Sequence, residues 1–85
     1  MKLNGKFAVR KIGTDFFAIP LGKNTTGGMI KLNDSGSFLF GKLIDGADEK
    51  TLAELLAAEY GLDKNEAMTD VSEFIEKMRG AGVLD

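Results

Sequence analysis

The stretch Met29-Ile30-Lys31-Leu32-Asn33-Asp34-Ser35-Gly36-Ser37-Phe38-Leu39-Phe40 decides the fold, because the spacing of its apolar residues changes inside it from two to nearly four. Up to Leu32 the alternation is that of a short strand over 29–32, with Ile30 and Leu32 turned to the core and Met29 and Lys31 turned away. Beyond it, Phe38, Leu39, Phe40, Leu43 and Ile44 keep helical spacing as far as Asp45-Gly46. Asn33 or Asp34 is placed to accept from the free N–H groups of that helix's first turn. The chain thus passes directly from strand to helix, and the reading on either side follows from that step.

Toward the N-terminus the pattern stays β. Phe7–Ile12 and Asp15–Ile19 are rich in β-branched and aromatic residues, and Gly13-Thr14 between them suits a type II′ hairpin turn. Pro20, which lacks a ladder donor, is expected to close the second strand, and residues 21–28 to form a loop, the segment expected to be most mobile. Toward the C-terminus the pattern stays helical. Thr51-Leu52-Ala53-Glu54 has the form of a capping box, opening a helix with Leu52, Leu55, Leu56 and Ala58 before Gly61. Asp63-Lys64-Asn65-Glu66 repeats the device with Asp for Thr, and starts a third helix that runs to Arg79 and ends at Gly80. Gly82-Val83-Leu84 is expected to fold back onto the core. The sum is one α+β domain over 1–85, winged-helix-like, with three N-terminal antiparallel β-strands followed by three α-helices. Common winged-helix domains place much of their sheet after the recognition helix, whereas here the whole sheet comes first.

Composition narrows the chemistry. Eighty-five residues support one core, and the absence of His and Cys removes imidazole bases, thiolate metal sites and disulfides. Neither catalysis nor a cofactor is expected. No apolar run is long enough to span a membrane or serve as a targeting segment, which leaves the cytoplasm as the expected location. Charge is bipolar: residues 1–42 hold seven Lys/Arg against two acids, and residues 43–85 hold eleven acids against four bases. The first half is therefore expected to attract an acidic ligand, unless both faces are simply solvated.

Candidate sites are few. Asp48 and Glu49, or Glu73 and Glu76, are acid pairs at surface-like helix positions, and Ser35, Ser37 and Ser72 have no basic neighbour in sequence that would make a nucleophile. Gly27-Gly28 is followed by a strand rather than by the helix a phosphate loop requires. The third helix is more informative. Ala67, Val71, Phe74 and Met78 share the sector that faces the core; Met68 and Ile75 widen it on one side, bordered by Ser72 and Arg79, while Asp70, Glu73 and Lys77 hold the other flank. If the apolar shoulder lies beside the third strand, the two make a groove for an extended peptide, with the strand edge supplying main-chain hydrogen bonds and the helix supplying pockets. The alternative is that Met68 and Ile75 pack against the second helix.

With these residues in view, the chain resembles the PqqD-type proteins, known more widely as the precursor-peptide recognition elements of ribosomally made, post-translationally modified peptide pathways. The likeness is carried in order by Leu32-Asn33-Asp34-Ser35-Gly36 leading into Phe38-Leu39-Phe40, Leu43 to Gly46, Thr51-Leu52-Ala53-Glu54-Leu55, Glu59-Tyr60, Asp70-Val71 with Phe74, and Gly82-Val83-Leu84. Phe40 stands where a Trp is frequent, and the connection before Gly46 looks about one residue longer than usual. The resemblance implies a non-catalytic adaptor that binds a leader peptide beside the third strand and against the third helix, and hands it to a modifying enzyme, commonly a radical S-adenosylmethionine enzyme. Carried over by position, the backbone of Met29, Ile30, Lys31 and Leu32 would pair with the leader. Met68 and Ile75 would form apolar pockets with Ser72 at their border, and Lys31 and Arg79 would attract the leader's acids.

Two other classes stay in view. A winged-helix nucleic-acid binder would read the major groove with its third helix, but from Asp63 to Arg79 that helix holds five acids against three bases, and the isoelectric point is near 5.1. A ligand-free dimerisation module would use the open strand edge for self-pairing, as a homodimer.

Overall fold

The computed structural model describes residues 2–22 and 28–85. Three antiparallel strands, β1 (Lys6–Ile12), β2 (Asp15–Leu21) and β3 (Ile30–Leu32), form a sheet in the order β1-β2-β3. Three helices follow: α1 (Asp34–Ile44), α2 (Glu49–Tyr60) and α3 (Lys64–Gly80). This is the expected α+β order. Ile12 pairs with Asp15 across the hairpin, and Gly13 alone takes positive φ there, at 65°, as a II′ turn requires of its first central residue. Residues 23–27, which include most of the expected loop and Gly27 of the Gly27-Gly28 pair, lie outside the described residues.

Two strand ends differ from expectation. β2 does not stop at Pro20 but continues to Leu21, with Phe7 opposite Pro20 and Lys6 opposite Leu21. On its other flank the ladder ends at Ala18↔Ile30, so β2 is an edge strand on that side at Pro20, the setting in which proline is tolerated. The same register explains why Met29 falls outside β3: the pairing with β2 begins one residue later, and Met29 is exposed.

The passage from β3 to α1 is held by Asn33. Its Oδ1 accepts the Gly36 N–H at 2.7 Å and the Ser35 hydroxyl at 3.2 Å, so Asn33 rather than Asp34 is the cap. Glycine at position 36 leaves room for this bond, because a Cβ there would stand 2.9 Å from Asn33 Oδ1 and displace the cap. α2 begins a turn earlier than Thr51: the side chain of Asp48 accepts the Thr51 N–H at 2.8 Å, which leaves Thr51 inside the first turn instead of capping it. A carboxylate is as good a cap as a hydroxyl, and Asp48 lies three residues ahead of Thr51 just as Asp63 lies three ahead of Glu66, whose N–H it accepts at 2.8 Å. At the far end of α3, Gly82 at φ 80° lets the Val83 N–H return to the Met78 carbonyl at 3.1 Å and its own N–H to Arg79 at 3.0 Å, the Schellman pattern.

α1 packs on the sheet, and α2 and α3 pack on each other and complete the core. Phe40 is fully buried, with its ring edge-to-face against Phe7 at 5.5 Å, a pairing that adds about 0.5–1.5 kcal/mol beyond its area. Ala67, Val71, Phe74 and Met78 are buried as their spacing required, and Ile44 at the end of α1 is exposed. The C-terminus folds back as expected and also does more. Leu84 forms a bridge with Leu3, the Asn4 N–H donates to Val83 at 2.9 Å, and the Asp85 N–H donates to Lys2 at 3.1 Å. The two chain ends thus hold each other, with Val83 and Leu84 in the core.

Candidate functional site

β3 has a strand neighbour on one flank only among the described residues. Its other flank presents the backbone groups of alternate residues to an open space, an edge prepared for another strand. At the C-terminal end of β3, Leu32 borders a cleft against α3 of about 390 Å³, walled by Leu32, Asn33, Ser35 and Gly36 on one side and by Asp70, Glu73, Phe74 and Lys77 on the other. It shares Leu32, Asn33, Ser35, Asp70 and Lys77 with a wider cleft of about 890 Å³, which runs past Lys31 to Asp15 and Phe16 and to Leu56 and Tyr60 at the end of α2. The two form one continuous groove, and the Asn33 cap fixes its corner.

The structure divides the residues expected to form this site. Ile30, Lys31 and Leu32 are on β3, with Leu32 buried as part of the groove floor and Lys31 exposed on its rim, 3.7 Å from Asp15. Met68, Ser72, Ile75 and Arg79 are not brought to it. Ile75 is 1% exposed and belongs to the core, so it offers no pocket. Met68, 51% exposed, borders a separate cleft between α2 and α3 with Ala53, Ala57 and Val71. Ser72 donates to Glu49 at the start of α2, at 3.4 Å. Arg79 turns to the C-terminus, donating to the Asp85 carbonyl at 2.7 Å and pairing with Glu76 at 3.4 Å.

The physical reason is the packing of α2. At about 100° per residue, Asp70, Glu73 and Lys77 lie on one side of the buried sector of α3 and Met68, Ser72 and Arg79 on the other. α2 packs along the second flank, as the Ser72–Glu49 bond and the Ala53–Met68 cleft show, and β3 therefore faces the first. Of the alternative that Met68 and Ile75 pack against the second helix, Met68 lies on the α2 side but stays exposed, and Ile75 is buried in the core.

The groove residues missed by sequence reasoning are Asp70, Glu73, Phe74 and Lys77 on α3, together with Tyr60. Phe74 was legible as a core residue, and its 8% exposure keeps it in the core while it closes the back of the cleft. The signal for the others was available: Asp70, Glu73 and Lys77 sit at i, i+3 and i+7, a charged stripe along one helix face. None of the three side chains makes an ion pair or hydrogen bond among the described residues. Tyr60 stacks edge-to-face on Phe38 at 6.0 Å, and its phenol is held above its ordinary pKa first by desolvation and then by the charges of Asp34 and Glu59. Among the described residues no group of three or more acids is placed to hold a metal ion, and no helix is long and apolar enough to cross a membrane.

Comparison with known proteins matches this arrangement. A solved structure described as TbiB1 in complex with the TbiA(beta) leader peptide superposes with a TM-score of 0.78, covering 100% of this chain and 95% of that one at 20% sequence identity. At that identity the likeness shows the fold: three antiparallel strands followed by three helices. No curated protein matches the chain. The family model for coenzyme PQQ synthesis protein D (PqqD) matches residues 21–84, a span that holds β3, the Asn33 corner and all three helices. The match covers well over half of the sequence, and the chain belongs to the PqqD family.

Proposed function

We propose that this protein is a non-catalytic adaptor of the cytoplasm that binds the leader of a ribosomally made precursor peptide and presents it to a modifying enzyme, such as a radical S-adenosylmethionine enzyme. The observation that carries the reading is β3, paired on one flank only among the described residues, with its Leu32 bordering a groove walled by α3. Membership of the PqqD family and a fold shared with a protein solved on a leader peptide support it. A peptide entering as a fourth strand satisfies the open backbone groups of β3. Each such bond adds only about 0.5–1.5 kcal/mol net, and β3 is three residues long, so affinity and selectivity must come mainly from side chains meeting the groove walls.

A leader peptide encoded beside the gene should bind in isothermal titration, while random duplex DNA should not. Methylating the backbone nitrogens of alternate leader residues should abolish binding in one phase of the alternation and spare it in the other, since only every second residue of an added strand bonds to β3. Equal tolerance of both phases would exclude strand addition. DNA binding is disfavoured by the groove itself, which sets Asp70 and Glu73 where a phosphate backbone would need cations.

A further inference from the structure

We infer that the peptide this groove selects carries a basic side chain on its α3-facing side, opposite Asp70 and Glu73, rather than the acidic side chains that the positive N-terminal half of the sequence suggested. The inference rests on the peptide-binding reading and adds to it the chemistry of the ligand. Of the cations in the N-terminal half, only Lys31 reaches the groove among the described residues. Lys31 is already matched by Asp15 at 3.7 Å. What remains along the walls among the described residues is Asp34, Asp70 and Glu73 against the ammonium of Lys77. Arg79, the other cation expected to draw an acidic ligand, is engaged at the C-terminus outside the groove. Tyr60 lines the same groove, and its phenol is raised first by desolvation and then by the charges of Asp34 and Glu59.

Spacing sharpens the assignment. Asp70 and Glu73 are one turn apart, a rise of about 4.5 Å, so one Lys or Arg head group can lie between both carboxylates. Lys77 stands about 6 Å further along the helix, close to the ~6.6–7 Å that separates same-face side chains of an extended strand. A peptide with a basic residue at one position is thus expected to tolerate an acidic or neutral one two residues away, toward Lys77. Strand addition would draw these carboxylates out of bulk water, which strengthens an opposite pair and makes a like pair costly.

The test uses fluorescence anisotropy with leader peptides encoded beside the gene and with matched synthetic peptides of one apolar pattern, carrying either Lys or Glu at their polar same-face positions. Lys peptides should bind at least about tenfold tighter than their Glu partners at low salt, a gap that narrows as salt is raised. The Asp70→Lys/Glu73→Lys double variant should reverse that order, with its fold checked by amide NMR. Arg79→Glu should leave the order as it is. A leader that binds with equal or greater affinity when its Lys and Arg are changed to Glu overturns the charge assignment and leaves peptide binding standing. Failure of every leader and synthetic peptide to bind overturns both.

Discussion

The two flanks of α3 differ in what they show a reader of the sequence and in what they face in the molecule. One flank, Met68, Ser72 and Arg79 with Ile75 at its border, is the more apolar and looks adhesive. The other, Asp70, Glu73 and Lys77, looks like solvated surface. The structure reverses their meaning. On the apolar flank Ser72 bonds Glu49, Ile75 is in the core, Arg79 reaches the C-terminal carbonyl, and Met68 stays exposed beside the cleft against α2, whereas the charged flank lines the groove that Leu32 of β3 borders. Apolar spacing on a helix does not by itself say which neighbour its flank will face. Here α2 lies along the apolar flank, and β3 is left to the charged one.

The comparison breaks most readily at Ile75. A carboxylate placed at this fully enclosed position has no partner, and Ile75→Asp should cost about 4 kcal/mol or more, enough to unfold much of the population of a domain this small. Urea denaturation followed by circular dichroism reads this directly, and a folded Ile75→Asp protein would return Ile75 to the surface. Next in size comes the contrast in binding. Charge reversal at Asp70 and Glu73 should change leader affinity at least about tenfold, while Met68→Ala, on the flank beside α2, should change it less than about twofold. Equal losses from both would erase the distinction between the flanks.

Smaller effects sharpen it at the groove's corner and at the start of α2. Gly36→Ala pushes a methyl group to 2.9 Å from the Asn33 cap and should cost on the order of 1 kcal/mol in stability. The same substitution should also weaken leader binding, because Asn33 and Gly36 line the cleft. Asp48, which anchors α2 against the Met68 flank, has a carboxyl held below its ordinary value of 3.8, chiefly by the Thr51 N–H and then by the Thr51 side chain. Because its folded pKa is the lower one, its stabilisation is present above the unfolded value and fades as pH falls through the folded value. The stability difference between the wild type and Asp48→Asn, from denaturation at stepped pH, should shrink over that acid window and stay flat above it.

Much of the fold could be read because local chemistry determines it. The change of period at residue 33, a cap at Asn33 or Asp34, the Gly13 turn and the α3 start at Asp63 each depend on residues within one turn of one another. Errors arose where a second partner decides. Pro20 looked like a stop, but a strand that is an edge on one flank accepts it. Thr51 looked like a cap, but Asp48 precedes it with a stronger acceptor. The bridge between Leu3 and Leu84 joins the two ends of the chain, and no window of sequence contains both. The groove failed for the same reason. Helical spacing separates the flanks of α3 but cannot say which one α2 will take, and only that choice assigns Asp70 rather than Met68 to the wall facing β3.

The most direct measurement is an amide NMR titration of the labelled domain with a leader peptide encoded beside its gene. Shifts should concentrate at Ile30, Lys31 and Leu32 on β3 and at Asp70, Glu73, Phe74 and Lys77 on α3, leaving Met68, Ser72 and Arg79 nearly unmoved. Shifts confined to Met68, Ser72, Arg79 and the facing side of α2 would place the peptide on the other flank and contradict the account.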